Sequence, residues 1–239
     1  MPMTISRWKP SLFLSMPHSC SYLPGQTATT LFVDPQQRVD SNLLGKLTRH
    51  GFRRSGDFVY RPHCQMCSAC VPVRVPVATF KPNRSQRRTW QKNRDLTIRR
   101  VDATYHQEHF ALYLRYQRAR HPGGGMGEPD PEKYVKVLLA QHVHTHFYEM
   151  RLGHKLLGVA VADVFPDGLS AVYTFFEPAD SKRSLGVYAV LLEIAEAKSL
   201  GLPWLYLGYW IEESPKMSYK HNFRPLEVYK DGHWVASET

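Results

Sequence analysis

Between residues 146 and 178 the chain carries three apolar runs, HFYEMRLG, KLLGVAVADVF and LSAVYTFFEP, rich in β-branched and aromatic residues. Each has strand length, and the turn-forming segments Gly153-His154-Lys155 and Pro166-Asp167-Gly168 separate them, so the pattern predicts an antiparallel meander. The next run, VYAVLLEIAEAKSL (187–200), is apolar at helical length and stops at Gly201, and PWLYLGYW after it reads as a further strand.

The first half is patterned differently. ATTLFVD (28–34) reads as a strand stopped by Pro35, and Asp40 then caps a short helix, SNLLGKLTRH, with Gly51 where a left-handed residue is wanted. FRRSGDFVYRP (52–62) alternates about Ser55-Gly56, a hairpin signal. CVPVRVPVATF (70–80) alternates too, but its prolines demote it to an edge strand or a bulged one. KPNRSQRRTWQKNRDLTIRR (81–100) predicts a basic helix capped at Ser85 and leading into a strand. Residues 104–120 form an aromatic-rich amphipathic helix ended by HPGGGMGEPDP, after which Asp130 and Pro131 open a helix over EKYVKVLLAQ. No internal repeat is visible. The fold class is α/β (α+β), with a basic, cysteine-containing N-terminal part over residues 1–100 and an acyltransferase-like part over 101–239. The order meander, helix, strand in the second part is similar to the core of acyl-CoA N-acetyltransferase (GNAT) folds.

At 239 residues the chain can build a real core without disulfides. The apolar run near its start is four residues long before Pro17 and His18, too short for a signal peptide. No stretch reaches the roughly 18 apolar residues of a membrane span. A cytoplasmic protein with no membrane partner is expected, and there clustered cysteines hold metal or do chemistry more often than they form disulfides. The net charge is +10, and its distribution says more than its sum: residues 1–100 hold 17 Lys and Arg against 4 Asp and Glu, the remainder 14 against 17. A polyanion is expected on the first half and a different partner on the second.

RPHCQMCSACVPVRVP (61–76) spaces Cys64, Cys67 and Cys70 three apart. That period fights the pleat of a strand, so the thiols belong to a knuckle or tight loop. Converging thiolates suit tetrahedral zinc or an iron-sulfur cluster, a structural or regulatory cofactor, and Cys20 in PHSCSYLPG is the obvious fourth ligand. His18 and His63 offer nitrogen ligands; the plain alternative is four idle thiols. In the basic helix Arg84, Arg87, Arg88, Lys92 and Arg94 lie within eleven residues, and at helical spacing most of them share a face able to neutralise phosphates. Trp90 and Tyr60 can stack on unpaired bases. The alternative is an ordinary solvated face.

SKRSLGVY (181–188) stands where an acetyl-CoA enzyme keeps its pyrophosphate loop, with small residues that let backbone N–H groups approach. Arg183 and Gly186 fit that pattern, but Tyr188 is bulky where a small residue is needed. An acyl donor other than CoA is implied. With a basic half alongside, an acyl group carried on RNA, an aminoacyl-tRNA, meets the requirement.

CSYLPGQTATTLFVDP, GFRRSGDFVYRPHCQMCSACVPVRVPVATFKPNRSQRRTWQKN and YLGYWIEESPKMSYKHNFRPLE together resemble the bacterial aspartate/glutamate leucyltransferases, relatives of the eukaryotic arginyl-tRNA-protein transferases. The resemblance covers nearly the whole chain. It implies transfer of leucine from leucyl-tRNA to proteins with N-terminal Asp or Glu, marking them for N-degron (N-end rule) degradation. In the eukaryotic relatives a paired-cysteine site binds metal or an iron-sulfur cluster; Cys20 matches its first cysteine, Leu23 stands at the second, and Cys64 and Cys67 can compensate. Under this reading the donor is already an activated ester, so the chemistry requires no cofactor. Glu177 and Asp180 are candidates to hold or deprotonate the acceptor α-amine, and Arg183, Lys216 and Lys220 to bind its acidic side chain. Tyr206, Tyr209 and Tyr219 can line the site or donate to the oxyanion, while His221 reads as a packing residue. The rival readings are an arginyl-tRNA-protein transferase, a CoA-dependent N-acetyltransferase with a zinc knuckle, and a zinc-dependent RNA-binding module.

Overall fold

A computed structural model describes residues 10–120 and 130–237; the HPGGGMGEP segment of the loop expected after residue 120 lies outside the described residues. The chain opens with β1 (Leu12–Leu14), β2 (His18–Ser19), β3 (Thr27–Ala28) and β4 (Thr30–Val33), then α1 (Ser41–Arg49). Asp40 caps α1, its carboxylate accepting from the Leu43 N–H at 2.8 Å, and Gly51 follows the helix at φ +81°, as the sequence predicts. The hairpin about Ser55-Gly56 is β5 (Arg53–Ser55) and β6 (Phe58–Pro62), and the small sheet runs β1-β4-β6-β5.

Next come β7 (Val71–Pro76), α2 (Arg84–Lys92), β8 (Thr97–Asp102), α3 (Gln107–Arg120) and α4 (Pro131–Leu138). The meander is β9 (Thr145–Leu152), β10 (Lys155–Phe165) and β11 (Gly168–Phe176). A 3₁₀ turn at Pro178–Arg183 leads to α5 (Leu185–Ser199), β12 (Trp204–Trp210), a second 3₁₀ turn at Ser218–Asn222, and the hairpin β13 (Glu227–Lys230) and β14 (His233–Ala236). The large sheet has the order β14-β13-β7-β12-β11-β10-β9-β8. Residues 1–100 and 101–239 therefore share one sheet, because β7 and β8 lie in it with the later strands.

Two local expectations change. β7 is no edge strand: it sits between β13 and β12. Its prolines are accommodated because β13 pairs only with Val73 and Arg74, and the β12 pairing is bulged between Tyr206 and Gly208. Helix α2 is capped by Asn83 rather than Ser85, since Gln86 at the third helical position closes a reciprocal capping box with it.

The sheet's period of two sorts the core. Ala160 and Ala162 of β10, Tyr148 of β9 and Phe176 of β11 pack with α5, while Val159, Val161, Phe147 and Phe175 pack with α3 and α4. Helices on both faces explain why β10 reads as a continuous apolar run. Tyr188 faces α2, its ring 5.4 Å from Trp90. Buried Arg54 forks onto Asp163 at 2.6 Å from both Nε and a terminal nitrogen, tying the first hairpin to β10.

Candidate active site

The parallel strands β11 and β12 pair only from Gly168↔Trp204 to Ser170↔Tyr206. Beyond that point they separate, and a cleft of about 1790 Å³ opens between them. One wall is Ala171 to Thr174 with Phe176, the other Leu207, Gly208 and Tyr209; α5 contributes Val187, Val190 and Glu193, and Ser21, Tyr22 and Tyr60 come from the first part of the chain.

Arg53 holds the point of separation. Its guanidinium donates to Ser170 Oγ at 3.1 Å and to the Ala171 carbonyl, spanning the end of the paired segment. It lies against Gly208, whose φ of +75° and missing Cβ leave room for it.

Lys220, in the second 3₁₀ turn, is buried at the cleft floor and donates to the Tyr209 carbonyl at 2.7 Å and to Met217 Sδ at 3.3 Å. Burial, helped by the Arg53 charge and opposed by Cys70, brings its pKa down to about 7. A neutral amine has two N–H groups and one lone pair; with both N–H groups engaged as here, the lone pair is what it can offer a substrate. Tyr209 donates to the Gly51 carbonyl at 2.9 Å, and burial holds its pKa well above the usual phenol value. Tyr219 lines the cleft, the residue 39% exposed.

Of the sequence candidates, Tyr209, Tyr219, Lys216 and Lys220 come together in this cleft, with Tyr60. Others are placed elsewhere. Glu177 accepts from Arg115 Nε at 2.9 Å and Asp180 from Lys155 at 3.4 Å, and neither lines the cleft. Arg183 forks onto Asp95 at 2.8 and 2.9 Å, clamping the loop before α5 to the end of α2. Tyr206 donates to Asp167 at 3.1 Å within the core around Phe165. His221 stacks on Trp210, the packing role expected of it.

Arg84, Arg87, Arg88, Lys92 and Arg94 are all exposed, while Gln86, Thr89 and Asn93 are buried. The charged face of α2 thus looks outward and its opposite face packs toward α5. Lys92 also donates to the Lys182 carbonyl at 2.7 Å.

Cys64, Cys67 and Cys70 lie in the loop between β6 and β7, and Cys20 in the turn between β2 and β3; all four are free and half-buried. Cys70 feels the other three thiols, and burial together with them pushes its own up to about 12. The four are therefore neighbours. Among the described residues no three His, Cys, Asp or Glu are placed together to hold one metal ion. Cys20 Sγ instead accepts from the Tyr22 and Leu23 N–H groups at 3.4 Å, and Cys64 points at the Thr29 carbonyl.

Arg53 and Glu193 escape a reading of the sequence. Arg53 is hidden in a hairpin strand beside Arg54, and the two point to different partners. Glu193 stands alone inside the apolar run VYAVLLEIA, and that solitary acid was the available signal.

The fold is thus mixed α/β, with a cleft where two strands separate and a buried lysine of lowered pKa among its lining residues. Residues 18–88 match the family model for the N terminus of arginine-tRNA-protein transferase, and residues 108–230 the model for its C terminus. The chain is similar to aspartate/glutamate leucyltransferases: 51% identical over 224 residues to that of Pseudomonas fluorescens, covering 94% of this chain and 95% of the relative. For that of Nitrosococcus oceani the identity is 53% over 236 residues, covering 98% and 99%. Among solved structures, L-PGS from Bacillus licheniformis is similar with a TM-score of 0.48 and 11% identity, over 86% of this chain and 82% of that one. The chain belongs to the arginine-tRNA-protein transferase family.

Proposed function

We propose that this protein transfers leucine from leucyl-tRNA to the N-terminal α-amine of proteins that begin with Asp or Glu, marking them for N-degron degradation in the cytoplasm. The observation that carries this reading is the placement, in one cleft, of Lys220, its pKa lowered by burial, with the guanidinium of Arg53. An acceptor α-amine has an ordinary pKa near 8, so it arrives largely as ammonium and must lose a proton. Lys220 near neutrality is suited to take it, while Arg53 and Lys216 offer charge to the acceptor's acidic side chain. The neutral nitrogen then attacks the leucyl ester carbon. As the C–N bond forms the nitrogen gives up a further proton, and as the ester C–O bond breaks the ribose oxygen takes one. The ester is already activated, so the chemistry itself calls for no ATP and no covalent enzyme intermediate.

The outward face of α2 is the surface for the tRNA phosphates. The order meander, helix, parallel strand supports a GNAT-like core, and Tyr188, where a CoA loop would keep a small residue, lies in the first turn of α5 with its ring turned into the α5–α2 contact. The test is transfer of radiolabelled amino acid from leucyl-tRNA and from arginyl-tRNA onto peptides that differ only in N-terminal Glu, Asp or Ala. Leucine on Glu and Asp alone is expected; arginine transfer changes the donor, and no transfer from either removes the reading.

A further inference from the structure

Glu193 is fully buried on α5, and among the described residues no group hydrogen-bonds either carboxylate oxygen. Burial pushes its pKa up to about 8, and Arg53 is the charged group that opposes the shift. Its field also reaches the phenols of Tyr148 and Tyr219. An unpaired carboxyl group in an apolar site is costly if ionised and leaves a donor and an acceptor unused if not. The surroundings are built for an apolar side chain: Val187, Val190 and Leu207 belong to the adjoining core, and a leucine at 193 would extend it. Glu193 is nevertheless among the residues that line the cleft, with Val187 and Val190 of the same helix.

We propose that Glu193 receives the α-ammonium of the aminoacyl donor, while Val187, Val190 and Leu207 take up its isobutyl side chain. This inference rests on leucyl-tRNA being the donor. Both substrates carry an α-ammonium, but the acceptor also carries a carboxylate on its first side chain, which Glu193 would repel. The donor pairs an ammonium with an apolar branch on adjacent carbons, and this wall of the cleft pairs a carboxylate with apolar side chains. Ionisation of Glu193 on binding supplies the buried charge with its partner. The subsite selects a free aminoacyl ester and rejects one whose nitrogen is acylated.

The experiment compares binding of tRNA bearing amide-linked leucine with tRNA bearing amide-linked N-acetyl-leucine, neither of which can be transferred, to the wild-type protein and to Glu193→Gln. Wild type is expected to prefer the free amine by at least 10-fold. Glu193→Gln, which keeps the shape and removes a buried acid, is expected to bind both equally, with the acceptor-peptide KM unchanged. Absence of the preference in wild type overturns the assignment without recourse to any variant. So does its persistence in Glu193→Gln, or a variant that changes the peptide KM alone. Leucine transfer by the same wild-type preparation is measured alongside. If it fails, the functional reading fails; if it succeeds while the preference is missing, only the role of Glu193 does.

Discussion

The guanidinium of Arg53 lies where a side chain on residue 208 would have to go: a Cβ on Gly208 would stand 2.8 Å from its Cζ and Nε. Gly208 also has φ +75°, which costs a residue with a Cβ about 1–2 kcal/mol. Because the obstructing atoms are the end of a flexible side chain, the fold can yield by moving Arg53. Gly208→Ala is therefore expected to lose about 1–2 kcal/mol in urea unfolding and to raise the KM for Glu- and Asp-peptides about 10-fold or more, the loss of a charge-assisted contact. An unchanged KM would remove Arg53 from acceptor recognition.

As the base that takes the acceptor's proton in the proposed reaction, Lys220 would give the activity its pH dependence. With its pKa down to about 7, kcat should rise through that pH and then level. Arg53 from β5, Cys70 from the loop before β7, and the Tyr209 carbonyl of β12 are the groups that face it. Lys220→Met is expected to abolish the rising limb and to reduce kcat by about 100-fold or more. Stability should move in the same direction. The folded pKa lies below the unfolded one, so between about pH 7 and 10 the unfolded chain binds more protons, and the penalty that is full below pH 7 fades as the pH rises. In Lys220→Met, chemical denaturation should show that part of the pH dependence gone.

How far this was legible in the sequence depends on the range of the contacts involved. The meander, the α1 cap with Gly51, the Ser55-Gly56 hairpin and the Asp130-Pro131 helix start are local, set by residues a few positions apart, and they read directly. The place of β7 was not, because its prolines are tolerated only through a bulge on β12 and a short pairing with β13, both more than 120 residues away in sequence. The same holds for the cleft. Lys216, Lys220, Tyr209 and Tyr219 stood out as chemistry-bearing residues late in the chain. Arg53 did not, since what distinguishes it from Arg54 is which strand each side chain meets, Ser170–Ala171 for one and Asp163 for the other. Glu177 and Asp180 carry suitable chemistry at a suitable place in sequence, yet Arg115 and Lys155 hold them away from the cleft.

Arg54 is a structural charge and should behave as one. Its side chain is 2% exposed and that of Asp163 1%; besides their fork, Arg54 donates to the Leu138 carbonyl and to Thr145 Oγ1, each at 3.1 Å. Arg54→Met leaves the Asp163 carboxylate buried without its cation, a loss of about 3–5 kcal/mol. Adding Asp163→Asn should recover a large part of that, because the uncompensated charge is then gone. Urea unfolding of the two single variants and the double variant checks it; strictly additive losses would show that the pair is not coupled.

The charged face of α2 is the last element whose role a measurement can isolate, because its charges look away from the core. Arg87 and Arg88 are exposed, whereas the buried side of the helix is held by Gln86, Thr89 and Asn93. Arg87 also donates to the Pro82 carbonyl at 2.6 Å, a contact that its loss would exchange for water at little cost. Reversing both charges should therefore leave the melting temperature within a few degrees of wild type. If the face neutralises tRNA phosphates, each lost contact removes one released counterion, and the slope of log K against log salt should fall by roughly one to two. Affinity at low salt should drop about 10-fold or more, and equally for leucyl-tRNA and uncharged tRNA, since phosphates carry no information about the amino acid. A tRNA titration of Arg87→Glu/Arg88→Glu at four salt concentrations separates the outcomes. An unchanged slope would return α2 to an ordinary solvated helix, whereas a loss confined to leucyl-tRNA would place these arginines at the acceptor end rather than along the backbone.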